Sequence, residues 1–324
     1  MRAAVRHRFG PAEAVVELEE IEKATPSDDE LLVRVRAASV NPADWYSVTG
    51  RPWVGRVQMG LRRPKGERLG VDFAGTVEEV GKDVTEFRPG DEVFGGRDGA
   101  FAEYVCVREE RAVVPKPSNV TFEEAAAVPI AALTALQGLR DKGQIQAGQK
   151  VLINGASGGV GTFAVQIAKA LGAEVTGVCS TPNVEIARSL GADHVVDYTR
   201  EDFTRSDQRY DLLLDIAGSR SWSEYKRVLN TQATLVIVGA PKRTRLLGPL
   251  SHVVTVRLAS VGGSRKVVFF IAKFNKADMV VLRDLLESGK VTSVIDRRYE
   301  LSDVVDALRY MGEGHAQGKI VLSM

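Results

Sequence analysis

Residues Val151–Ala164 read VLINGASGGVGTFA, with four glycines set between a β-rich apolar run and a helical pattern. Bare backbone there has a chemical use: it lets a ligand approach the main chain. The N-terminus of the helix that follows then offers free N–H groups and the positive end of its dipole to a phosphate. Val151–Ile153 is the expected strand. Val160, Phe163, Ala164, Ile167, Ala168 and Leu171 recur at helical spacing and would pack the helix on a sheet, with Thr162, Gln166 and Lys169 facing outward. Gly158 allows a ligand close to the backbone, and Gly161 allows close packing of helix on strand. The G-x-G-x-x-G pattern is broken at its first glycine, which is Ala156 here, with Gly155 just before it. A lone glycine motif marks only a tight turn. Here strand, helix and further β–α units are all in place, so a dinucleotide pyrophosphate on Ala156, Ser157, Gly158, Gly159, Val160 and Gly161 is expected.

The elements around this loop come in three parts. Up to about Asn119 the text is strand-like and broken by turns, as in Leu31–Val40 and Phe73–Val80. From about Thr121 to Ser260, strand and helix patterns alternate: after the glycine loop come Glu174–Val178, a helix near Asn183–Leu190, His194–Val196, Tyr210–Ile216 and Leu235–Val238. Such alternation predicts right-handed crossovers and a doubly wound parallel sheet. Helical patterns at Lys276–Ser288 and Ser302–Met311 and a strand at KIVL close the chain. Ser251–Ala259 reads equally as strand or helix.

Charge and cysteine content narrow the class. The chain has 324 residues, 43 Lys and Arg against 42 Asp and Glu, and a net charge of +1. That balance argues against nucleic-acid and membrane-surface partners. Cys106 and Cys179 form neither a disulfide framework nor a zinc ribbon and suit a reducing compartment. With no apolar leader in MRAAVRHRFG, the expected location is the cytoplasm. One local exception is the cationic stretch Arg51–Arg68, which reads as a solvated loop or a basic lid.

NGASGGVGTFAVQIAKALGA resembles the cofactor loop of the medium-chain dehydrogenases/reductases. NPADW, LGVDFAGTVEEVG, PGDEVFG, LTALQGL and GHAQGKIVL extend the likeness almost end to end. It is greatest to the zinc-free, quinone oxidoreductase-like branch. The resemblance implies a GroES-like β-rich catalytic domain at 1–122, a Rossmann domain at 123–275, and a C-terminal return at 276–324 that completes the first domain. It also implies a homodimer built on Rossmann edge strands.

In zinc-dependent relatives a Cys, a His and a Cys hold the metal, and those places fall at Asn41, Val71 and Ile130. Two of these lack a donor atom, and Asn41 alone cannot hold zinc against water, so no metal site is expected. His7, His194, His252 and His315 are scattered along the chain. Without a Lewis acid, the accessible chemistry is hydride transfer to an electron-poor acceptor, a quinone or an enone. The resemblance places Asn41, Asp44 and Tyr46 along the acceptor pocket. Asn41 would donate through its amide, Tyr46 through its hydroxyl, and Asp44 would hold the loop. Thr134, Val238, Gly239, Ala240 and Phe270 fall on the nicotinamide side, and Lys319 falls where a relative's arginine meets phosphate. Cys179 takes the place of the acid that grips both ribose hydroxyls in NAD-preferring domains, while Ser180, Asn183 and Tyr198 fall where a 2′-phosphate binds. The expected cofactor is therefore NADP(H), and the expected partner is a small-molecule electron acceptor. A non-catalytic NADPH-binding protein is the alternative.

Overall fold

The computed structural model describes residues 1–218, 220–239, 249–260 and 262–324. The chain divides into two compact units, Met1–Leu133 with Phe274–Met324, and Thr134–Lys273. The first junction lies beyond the expected 122/123 because the short helix Phe122–Ala126 belongs to the first unit. Thr121 caps it in a reciprocal box with Glu124, its Ala125 and Ala126 are buried, and Ser293 donates to the Glu124 carbonyl at 2.7 Å.

The first unit opens with β1 (Arg2–Arg6) and β2 (Val16–Glu20), an antiparallel hairpin, followed by β3 (Glu30–Val40), β4 (Asp72–Val80), β5 (Glu92–Gly96), β6 (Tyr104–Arg108) and β7 (Val113–Pro115). The second unit contributes β8 (Lys150–Asn154), β9 (Glu174–Cys179), β10 (His194–Asp197), β11 (Tyr210–Asp215), β12 (Leu229–Ile237) and β13 (Lys266–Phe269). The chain then returns to the first unit with β14 (Ile295–Glu300) and β15 (Lys319–Ser323).

In the first unit the sheet runs β14-β15-β3-β4-β5-β7, with β6 also on β3. Leu31, Val33 and Val35 of β3 point into a core with Phe73, Val77, Val93 and Val105, while Arg34 and Arg36, on either side of Val35, face water. The alternation is what a half-buried antiparallel strand requires. β15 pairs antiparallel with β3 in the register Ile320↔Val40, Val321↔Ser39, which sets Lys319 beside the residue after β3, Asn41.

The second unit is a six-stranded parallel sheet in the order β10-β9-β8-β11-β12-β13. Strand order reverses between β8 and β11, so the carboxyl ends of these two strands border the crevice where open α/β sheets bind ligands. Helix Gly159–Ala170 follows β8 directly, with Phe163, Ala164, Ile167 and Ala168 buried as expected. Thr162 and Gln166 are buried too, contrary to expectation. Thr162 Oγ1 donates to the Gly159 carbonyl and Gln166 Nε2 to the Thr162 carbonyl, so each side chain finds an acceptor within its own helix. The ambiguous stretch is helical, Pro249–Ala259, with Val253 and Val256 packed on Tyr225 and Val228.

Candidate active site and cofactor loop

In the first unit β3 runs straight into helix Pro42–Thr49. Asn41 is the N-cap, Pro42 opens the helix, and Asp44 at the third helical position accepts the Asn41 N–H at 2.8 Å. This is a capping box, and it fixes how the helix leaves the strand. The Asn41 side chain is buried and engaged on every side. Nδ2 donates to Asp72 Oδ2 (2.9 Å) and to the Ser39 carbonyl (3.2 Å), and Oδ1 accepts from Lys319 Nζ (2.5 Å). Asp72, at the start of β4, also accepts from Ser39 Oγ (3.0 Å) and from the Ile130 N–H (3.1 Å), and lies 3.7 Å from Lys319 Nζ. Asn41, Ile130 and an ammonium are thereby gathered around Asp72, next to Val71 in the chain.

Two expectations change here. Both amide donors of Asn41 are spent on the protein, so it is an organiser of the site rather than a free donor to an acceptor. Lys319 is buried, and its charge is balanced by Asp72 and Asn41 inside the first unit, not offered to a pyrophosphate. The reason lies in the β15–β3 register, which delivers this side chain to the carboxylate. Burial pulls Lys319 down, opposed by Asp72 and Asp44, and pushes Asp72 up, opposed chiefly by Lys319. Asp44 is pushed up to about 7 by burial, so it takes up a proton near neutrality. Among the described residues no group of three His, Cys, Asp or Glu side chains is arranged to hold a metal ion.

Tyr46 sits on the same helix, half-buried, with its ring edge-on to Trp45. Burial raises its phenol, which stays protonated and able to donate. No described protein group hydrogen-bonds its hydroxyl.

In the second unit the glycine loop explains its own irregularity. Gly155 has φ 96°, the left-handed turn, so the special conformation has moved one residue ahead of Ala156. Ala156 is buried beside Gly177, where any added Cβ would lie 3.0 Å from the Ala156 methyl. A Cβ at Gly161 would lie 2.0 Å from the Gly155 carbonyl oxygen, whereas at Gly158 it would meet only that oxygen, at 3.7 Å. Gly161 is thus bare for packing, and Gly158 is bare with room above it. As N-cap, Gly158 lends no side-chain bond to the first helical N–H groups. Ser157 and Val160 line the same turn.

Sequence reading missed two buried carboxylates, Asp72 and, at the end of β11, Asp215. It accepts from Asn154 Nδ2 (2.8 Å), the Gly218 N–H (2.9 Å) and the Tyr225 hydroxyl (2.5 Å), tying the ends of β8 and β11 to the loop that follows. An acid ending the apolar run YDLLLD was the available signal. Val238 and Gly239 both donate backbone N–H to the Asp215 carbonyl, and a Cβ at Gly239 would lie 1.9 Å from the Ile216 oxygen, so the bareness of Gly239 is demanded by its own neighbour. Ala240 lies outside the described residues. Thr134 is half-buried on helix Pro129–Leu136, and Phe270 is half-buried against Gly138.

At the ends of β9 and β10 the structure brings Ser180, Asn183 and Tyr198 together. Asn183 Nδ2 donates to Ser180 Oγ at 3.0 Å, and the Tyr198 N–H to the Cys179 carbonyl at 3.0 Å. The Cys179 side chain points inward, and burial raises its thiol to about 11, so the outward position at the strand end is Ser180. The nearby Asp197 carboxylate is occupied by Thr181 and Thr199, with Arg200 at 3.5 Å.

Comparison with known proteins matches the chain to the alcohol dehydrogenase GroES-like domain over residues 27–118 and to a zinc-binding dehydrogenase domain over 190–322. It is 35% identical to the mouse mitochondrial NAD(P)H oxidoreductase RTN4IP1, over 91% of this chain and 82% of that protein. It is 33% identical to the tomato 2-methylene-furan-3-one reductase, over 91% of this chain and 72% of that one. The quinone oxidoreductase of Coxiella burnetii superposes with a TM-score of 0.86 at 30% identity, covering 100% of this chain and 99% of that one.

Proposed function

We propose a reaction from one premise: the chain belongs to the medium-chain dehydrogenase/reductase family, in its quinone oxidoreductase-like branch. It is an oxidoreductase that works with a nicotinamide cofactor. Within that frame we infer that NADPH reduces a quinone or the β-carbon of an α,β-unsaturated carbonyl. The relatives named for quinone oxidation–reduction and for an enone-type reductase support both acceptor classes.

The glycine turn fits a dinucleotide. Gly158 leaves space for a pyrophosphate, and the N–H groups of Gly159, Val160 and Gly161 at the helix start have no side-chain cap to compete with. Bound NADPH supplies the hydride. The chain's own residues supply the remainder. Asn41, Asp72 and Lys319 lock the start of the helix that carries Tyr46, and Tyr46 donates a hydrogen bond to the acceptor oxygen as it gains charge. The observation that carries this reading is the Tyr46 hydroxyl: half-buried, held protonated and without a protein partner among the described residues. We also propose a cytoplasmic homodimer. β13 ends its sheet and is followed by the exposed Ile271, a surface apt for pairing with a second copy.

The deciding assay is steady NADPH oxidation with an ortho-quinone or a 2-alkenal. Cofactor binding without turnover across a broad acceptor panel would leave only a cofactor-binding protein. Turnover should also survive exhaustive chelation, because Val71 and Ile130, two of the three positions the family resemblance sets in the place of zinc ligands, carry aliphatic side chains. Stoichiometric zinc near Asn41 in purified protein would overturn that expectation.

Preference for NADPH is tested at Ser180, the outward residue. Ser180→Asp sets a carboxylate against the 2′-phosphate and is expected to weaken NADPH binding by about 1–3 kcal/mol after screening, roughly ten- to a hundredfold. The readout is kcat/KM for NADPH and NADH in both proteins. A wild type that prefers NADH, or a variant with an unmoved ratio, removes the 2′-phosphate from this place.

A further inference from the structure

We propose that the segment Arg51–Arg68 is a docking face for an anionic lipid surface. Averaged over the whole chain the charges nearly cancel, at +1, but in this segment six cations meet one acid, Glu67. Glu67 is itself 3.2 Å from His7 Nδ1. Arg56 is used internally: its Nε donates to the Gly50 carbonyl, and its guanidinium lies over the rings of Phe9 and Trp53. Arg51, Arg62, Arg63, Lys65 and Arg68 are all exposed, and none forms an ion pair among the described residues.

The same stretch exposes large apolar side chains: Trp53 at 59%, Val57 at 67% and Leu61 at 73%. A 3-10 turn, Trp53–Gly55, runs directly into the helical turn Arg56–Met59, so Trp53 and Val57, four residues apart, share a face. The Lys65 N–H donates to the Met59 carbonyl at 2.9 Å, which folds the loop carrying Leu61, Arg62 and Arg63 alongside that turn.

One exposed apolar residue needs no explanation, but three beside five unneutralised cations make a composite surface. Its chemistry matches a lipid interface: an indole at headgroup level, aliphatic tips against acyl chains, and guanidinium and ammonium groups on lipid phosphates. RNA fits less well. Trp53 is the segment's only aromatic residue for stacking, and Val57 and Leu61 have nothing to gain from a nucleic acid. No described helix is long and apolar enough to cross a membrane, so the docking is peripheral.

The test is cosedimentation of the whole protein with vesicles of phosphatidylcholine alone or mixed with phosphatidylglycerol. Binding is expected to the mixed vesicles only and to weaken as salt rises. The charge variant Arg62→Gln/Arg63→Gln/Lys65→Gln should bind them about a hundredfold less well. The variant Val57→Ser/Leu61→Ser should also bind less, although its charge is unchanged, and both variants should unfold at the wild-type temperature. Absence of binding, equal binding to neutral vesicles, or full binding by either variant overturns the proposal. So does a preference for single-stranded RNA over the mixed vesicles.

Discussion

Lys319→Met is expected to cost about 3–5 kcal/mol of folding stability at pH 8, the usual penalty for leaving a buried charge without its partner. Lys319 is the ammonium that faces both Asp72 and Asp44, and methionine keeps its length while removing that charge. The loss should shrink on acidification, and the sign follows from the direction of the carboxyl shifts. Burial raises Asp72 and lifts Asp44 to about 7, so the folded state keeps protons that the unfolded chain has already released. Stability therefore falls as pH rises from the ordinary carboxylate range toward neutrality, and more steeply once the ammonium is gone. Urea unfolding of wild type and variant at pH 5 and pH 8 measures both effects. Adding Asp72→Leu to Lys319→Met should restore part of the loss, since an apolar pair can replace a buried ionic one. A cost below about 1 kcal/mol at pH 8, the scale of a solvated ion pair, would mean that water reaches this cluster.

Tyr46→Phe should lower kcat by roughly ten- to a thousandfold while leaving KM little changed, the range found when one donor to a developing oxyanion is removed. The substitution takes away a single oxygen that has no described protein partner, so the fold loses little. Reduction of a quinone and of a 2-alkenal by saturating NADPH gives kcat and KM separately. A change confined to KM would make Tyr46 a wall of the pocket and not a donor to the reaction. The pH profile is a second check: because burial raises the phenol, activity should not fall through the ordinary tyrosine range near pH 10 as an exposed donor's would.

Local chemistry was readable from the sequence where a residue's role depends on its near neighbours. The strand, glycine turn and helix from Val151 onward are of this kind. Phase was less readable. The end of β9 turns Cys179 inward and Ser180 outward, and a one-residue shift in a strand exchanges the two faces. Thr162 and Gln166 misled for another reason: a polar side chain can be buried when its own helix supplies the acceptor. The meeting of Asn41, Asp72 and Lys319 was not readable. It depends on which strand β15 pairs with, and in what register, and no local pattern encodes that.

That pairing also orders events during synthesis. Asn41 and Lys319 are 278 residues apart, and the whole of the second unit is made between them. The second unit is continuous in sequence, so its sheet can close as soon as it leaves the ribosome. The first unit emerges earlier yet is finished later. Until β15 arrives, β3 is left unpaired at Ala37–Val40, and Asp72 lacks the ammonium that faces it in the finished fold. The first unit to be started thus waits on one of the last side chains made, the lysine that joins Asn41 and Asp72.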